Sequence, residues 1–284
     1  MTELVTDPLL RRALLEVVIL GLACGPLGVW VLHERRAFAA ESLSHGMLPG
    51  LVVASLAGAP LLLGAAGGIV IAAALVAFAS RDARVGGDTA VAVVVTALFG
   101  LGVVLALRPE VPARLGEILF GDPLGATAGD LAVAAALCVG VLVALALGGR
   151  ALRIAAFDPQ AAPSLGVRPS RVGLGLLVVL AVTIAAAAQG LGSLLLLALL
   201  LAPSAAAIRA SDRLTTQLRV AAALGAGCGV IGLEASRAFD IAAGPAIALA
   251  ACAAYVVVAI LRPGERTRHT SLRSAPIDGL RGSR

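Results

Sequence analysis

Glu41 and His45 are the residues of this chain best suited to chemistry. They lie four apart in "ESLSHGMLPG", residues 41–50, within an almost wholly apolar stretch. On a helix, positions i and i+4 share a face. A carboxylate oxygen and an imidazole nitrogen on one face are two donors of the kind that first-row divalent metals accept. An ionised group near the middle of a membrane span costs at least ~2.5 kcal/mol, and such groups mark substrate or ion paths. Pro49 follows four residues after His45. A proline inside a helix kinks it and removes the hydrogen bond to the carbonyl four residues earlier, which is that of His45 itself. Spacing alone also fits a plainer use, with Glu41 paired to Arg35 or Arg36 and His45 bonded to a neighbouring serine. One helix supplies only two side-chain ligands. A two-fold dimer would bring four to a shared axis, enough for a tetrahedral shell.

The elements that must position this pair are membrane spans. Hydrophobic residues make up 60% of the chain and charged residues 14%, with a mean hydropathy of +1.00; a soluble domain carries about 25% charge. The apolar runs are long and unbroken, unlike the alternating segments of about ten residues in an outer-membrane barrel. They fall roughly at 13–32, 42–58, 61–79, 89–107, 130–149, 172–189, 192–208, 219–234 and 243–261. Two divisions are inferred. Ser42 to Ser80 holds no Asp, Glu, Lys or Arg, and as one helix it would be roughly 58 Å long against a hydrocarbon core of about 30 Å. It must turn, and "AGAP" (57–60) is the natural place. Val172 to Ile208 is also uncharged, and "QGLGS" (189–193) offers glycines for a break. The expected fold is all-α, a polytopic transmembrane helical bundle of eight or nine spans. One transmembrane domain covers 1–263, and an arginine-rich, disordered cytoplasmic tail covers 264–284.

All 22 basic residues are arginine. With nine spans and the N-terminus outside, 17 of them fall on the cytoplasmic side and five outside, as the positive-inside rule requires. Arg11 and Arg12 run against it. The net charge of +5 is thus explained by span ends and does not call for nucleic acid. Cys24, Cys138, Cys228 and Cys252 are scattered singly and form no CxxC pair, so they read as packing residues. There is no GxxxxGK[ST] loop, and no lysine to complete one. There is no HExxH motif, and Ser44 and His45, adjacent on a helix, point about 100° apart, a poor nucleophile–base pair. No catalytic residue is assigned.

"GPLGVWVLHERRAFAAESLSHGMLPG" (25–50) resembles the opening of the membrane permease subunits of bacterial zinc and manganese importers of the ATP-binding-cassette class, ABC-3 type. "LFGDPLGATAGDL" (119–131), "GSLLLLALLLAPSAAAIRA" (192–210) and "FDIAAGPAIAL" (239–249) resemble further segments of that family, in the same order. The resemblance implies a homodimeric multi-pass protein of the bacterial plasma (inner) membrane. It implies cytoplasmic ATPase subunits and an extracytoplasmic metal-binding protein as partners, with zinc or manganese as cargo and no permanently bound cofactor. Glu41 and His45 match the family's acidic and histidine metal ligands, with Glu41 where the family usually has Asp. A related permease class carries chelates such as haem or siderophores, and that is the alternative cargo.

The loop "RALRIAAFDPQAAPSLGVRPSR" (150–171) is the longest arginine-rich connection between spans. Asp158 and Pro159 make a good helix start and Gly166 a good stop, which gives a short helix of about seven residues. Pro163 would interrupt it, so the helix can instead begin near Ala162. The resemblance makes this segment the element through which the ATPase acts.

Overall fold

The computed structural model describes residues 7–79, 87–107, 125 and 127–262, and among these it contains nine α-helices and no strand. They are α1 (Pro8–His33), α2 (Ala37–Leu56), α3 (Leu61–Ala79), α4 (Gly87–Ala106), α5 (Ala128–Phe157), α6 (Pro169–Leu191), α7 (Ser193–Ala210), α8 (Leu214–Phe239) and α9 (Ala243–Leu261). A short 3-10 helix, Ala162–Leu165, lies between α5 and α6. Each apolar run of the sequence has become a helix. Eight are long and apolar enough to cross a membrane. The exception is α2, whose apolar length is diluted by Glu41, Ser42, Ser44 and His45. The expected tail over 264–284 and most of "LFGDPLGATAGDL" lie outside the described residues.

Local signals set the ends of the helices. Asp7 caps α1, its carboxylate accepting the Leu9 N–H at 2.9 Å, and Pro8 takes the first helical position. Thr127 and Asp130 form a reciprocal capping box at the start of α5. The turn at 57–60 uses Gly58 at φ +65°, and α6 and α7 are joined by Gly192 alone at φ +75°. Both values lie in the left-handed region that glycine enters without steric cost. The short run 219–234 grows into the 26-residue α8, because the helix continues through Gln217 at one end and Arg237 at the other, polar residues at which hydropathy alone had cut it short.

The bundle closes around α1, which is buried from Ala23 to Val31. Gly21 and Gly25 of α1 meet Gly225 and Ala221 of α8 so closely that an added Cβ would run into the facing backbone. Gly28 does the same against Leu200 and Ser204 of α7, where the Ser204 hydroxyl reaches the Gly25 carbonyl at 2.8 Å. Small residues that let backbones approach are how helices associate where no water drives them together.

The two ends of the bundle differ. At one end Arg209 donates to the Ala259 carbonyl at 3.4 Å and Arg262 to the Ala210 carbonyl at 2.6 Å, tying α7 to α9. His33 joins Gln217 there, tying α1 to α8. This is the end where these arginines gather, the end that the positive-inside rule expects on the cytoplasmic side. At the other end Ala13, Leu233 and Ala243 pack α1, α8 and α9 together.

Candidate functional site

Glu41, His45 and Pro49 all lie on α2. This helix is locked onto α3 and α4 by glycines. A Cβ at Gly50 would overlap the backbone of Gly64 and Gly68, one at Gly46 would strike Ala72, and one at Gly102 would meet Leu48. The packed side of α2 includes Ser42, Leu43, Ser44 and the stretch Gly46–Pro49. Phe38 and Glu41 are exposed and His45 is half-buried, so these three mark the side of the helix that the chain leaves open.

The plainer use of the pair is not what the side chains do. Among the described residues Glu41 makes no ion pair or hydrogen bond; the neighbouring Arg36 instead approaches Glu34 at 3.8 Å. His45 turns the edge of its ring to Phe99 of α4, with ring centroids 5.0 Å apart and planes at 67°. Its Nδ1 is buried and has no hydrogen-bond partner, and the adjacent Ser44 hydroxyl is likewise unpaired. Ser42 spends its hydroxyl on the Phe38 carbonyl at 2.6 Å. Glu41 is the charged neighbour felt by His45. Orphaned buried donors and acceptors are rare, and each calls for an explanation. Pro49, buried in the same helix, leaves the His45 carbonyl without its intrahelical donor. Among the described residues no three His, Cys, Asp or Glu side chains gather into a metal cluster. Glu41 and His45 therefore offer two donors on one helix, half of what a four-coordinate shell would need.

The 158–166 segment differs from the expected seven-residue helix. Asp158 closes α5, its N–H bonded to the Ile154 carbonyl at 3.0 Å, and its carboxylate accepts the Ala161 N–H at 3.0 Å. Pro159 sits in the exposed turn that follows. The helical part is only the 3-10 turn Ala162–Leu165, with Pro163 as its second residue, so the later start is the one realised. A proline in the first turn of a helix loses no intrahelical hydrogen bond, whereas inside a longer helix it would. Gly166 ends the turn at φ +74°, donating its N–H to the Pro163 carbonyl at 3.1 Å. Ala162 is fully buried and Leu165 is 55% exposed, which makes the segment a compact protrusion anchored at its base.

Sequence reasoning passed over Glu16. It lies on α1, is buried, and has one carboxylate oxygen with no partner. The other oxygen occupies the space that a side chain at Gly190 would fill. Asp130 at the start of α5 is its charged neighbour. The signal was available as a single acid inside an otherwise apolar run. The four cysteines are free thiols; Cys24, Cys138 and Cys228 are buried, as expected of packing residues, whereas Cys252 is exposed.

Comparison with known proteins adds to this geometry. Residues 6–262 match the model of the ABC 3 transport family. The chain is 31% identical over 270 residues to the manganese transport system membrane protein MntC of Halalkalibacterium halodurans, covering 94% of this chain and 92% of that one. It is 26% identical over 257 residues to the manganese import system permease protein ScaB of Streptococcus gordonii, covering 90% and 92%. It is 29% identical over 253 residues to the chelated iron transport system membrane protein YfeD of Yersinia pestis, covering 89% and 85%. Among solved structures, PsaBC from Streptococcus pneumoniae in complex with Fab superposes with a TM-score of 0.85 over 92% of this chain and 95% of that one, at 24% identity. That likeness is one of fold.

Proposed function

Since the chain belongs to the ABC 3 transport family, we propose that it is the membrane-spanning permease subunit of an ATP-binding-cassette importer for a divalent transition-metal ion, manganese or zinc. Relatives named as manganese transport proteins, matched over nearly their whole length, support that cargo. The observation that carries the site is the buried Nδ1 of His45, without a hydrogen-bond partner among the described residues, one helical turn from the exposed Glu41. A nitrogen and a carboxylate left without protein partners are ready to hold a passing cation. A pair of donors suits a bare ion better than a bulky chelate, whose metal already has its ligands.

The open side of α2 favours a homodimer. A second copy placed across a two-fold axis would bring its own Glu41 and His45 to the first pair and complete a four-ligand shell. No resident cofactor is needed, since the metal is cargo. ATP is hydrolysed by separate cytoplasmic subunits, as the chain has no P-loop sequence or lysine of its own. Those subunits press on the Asp158–Gly166 protrusion at the arginine-rich end, and an extracytoplasmic metal-binding protein loads the opposite end.

The test is uptake of manganese and zinc by cells carrying Glu41→Ala or His45→Ala, with permease level in the membrane measured alongside. Uptake should fall at least about tenfold, the equivalent of ~1.4 kcal/mol of ligation, at unchanged protein level. Unaltered uptake of both metals removes the site assignment and leaves the family's transport role standing.

A further inference from the structure

The joint between α1 and α2, together with the last residue of α1, touches the chain on both sides of the Asp158–Gly166 protrusion and leads directly into the helix that bears Glu41 and His45. It consists of Glu34, Arg35 and Arg36. Its path is tight: Arg35 donates to the Leu32 carbonyl at 3.0 Å and Arg36 to the Val31 carbonyl at 2.8 Å. Arg35 adopts φ +56°, a left-handed conformation unusual for a residue with a side chain. Such backbone persists only where its surroundings over-determine it.

The first flank is held by His33, the last residue of α1. Its ring lies against Phe157, the last residue of α5 and the one before Asp158, with centroids 5.1 Å apart. Trp30 meets the same imidazole edge-on at 6.4 Å. The ring is fixed from α8 as well. Gln217 is buried and donates its amide N–H to the Ser211 carbonyl at 2.7 Å. Its Oε1 is therefore the acceptor at 2.8 Å from His33 Nε2, and that nitrogen carries the hydrogen. The second flank is held by Arg36. Its guanidinium lies over Gly173 of α6, on the far side of the protrusion, where a side chain at 173 would overlap it.

We propose that His33 and Arg36 are positioning residues of transport, forming a clamp that carries displacement of the Asp158–Gly166 protrusion into α2. This rests on the reading of that protrusion as the ATPase contact. The clamp grips the chain just before the protrusion through Phe157 and beyond it through Gly173, in the second turn of α6. The residue after Arg36 is the first of α2, so a shift of either flank re-aims the helix on which Glu41 and His45 sit. The seating of α2 against glycines of α3 is close-packed, and close-packed contacts shift between discrete arrangements instead of stretching.

The experiment uses the complete transporter, permease with its ATPase subunits, in proteoliposomes loaded by its binding protein, with manganese ion as the probe. Uptake and ATP hydrolysis are measured together for Gly173→Ala, Arg36→Ala, the double variant and His33→Ala. Gly173→Ala meets only the tip of the Arg36 side chain, and should it fail to assemble, Arg36→Ala carries the test. The expected result is hydrolysis close to that of the unaltered protein and about a tenfold lower uptake per ATP. The double variant should be no worse than either single, because both remove one contact. An unchanged ratio of uptake to hydrolysis in all four overturns the clamp. Leu165→Ala on the protrusion separates the two readings. If it depresses hydrolysis while the clamp variants leave the ratio alone, the clamp fails and the ATPase contact stands. If it alters neither quantity, the ATPase contact fails and the clamp with it.

Discussion

Glu41 stands where the family resemblance leads one to expect an aspartate, and the structure gives the longer side chain a consequence. The side chain is exposed, so its extra methylene is not absorbed by packing and moves the carboxylate about one bond farther from the helix. Glu41→Asp should therefore retain transport and shift the preference between manganese and zinc, measured by competition between the two metals in uptake. No change in preference would mean that other groups set it. Glu16 supports a different kind of prediction. Its carboxylate fills the space beside Gly190, so Gly190→Ala should destabilise the purified protein by about 1–3 kcal/mol through overpacking, read as a lowered thermal midpoint in detergent. Adding Glu16→Ala should restore much of the loss, whereas equal destabilisation in both backgrounds would place the strain elsewhere.

The elements were largely legible from hydropathy, and the reasons for the exceptions are physical. Breaks at 57–60 and 189–193 were visible because an uncharged run too long for one crossing must turn where glycine allows it. Gly58 and Gly192 do take left-handed φ. The ends of α8 were not visible, since a helix held by glycine contacts to α1 continues through polar residues that an apolar count rejects. The Glu41–His45 spacing was readable because it is local. The clamp was not, because His33 meets Phe157 and Arg36 meets Gly173 only after the chain has folded. The 158–166 segment was half legible: its capping residues were identifiable, but its helical part shrank to a 3-10 turn. Gly166, at φ +74°, has nothing within 4 Å of where a Cβ would sit. Gly166→Ala should therefore cost only the backbone penalty of ~1–2 kcal/mol. Its effect should fall on the coupling of ATP hydrolysis to uptake and spare metal binding to the purified permease. Weakened metal binding would show that the turn serves the ion path directly.

At the scale of the whole molecule, sidedness follows from charge. The contacts of His33, Arg36, Arg209 and Arg262 gather at one end of the bundle, and the capped starts of α1 and α5 belong to the other. A reporter fused after residue 284 should thus be active only in its cytoplasmic form, and one fused before residue 1 only in its extracytoplasmic form. The opposite pattern would invert the bundle and put the protrusion out of the ATPase's reach. The distribution of sulfur has a practical side. Of the four thiols, three are enclosed by packed helices, while Cys252 lies on the outer surface of α9 beside exposed Leu249 and Val256. The unaltered chain thus presents one thiol on its lipid-facing surface, at mid-span, where the scarcity of thiolate should leave it slow toward maleimides, so that cysteines engineered into the aqueous loops can be labelled ahead of it.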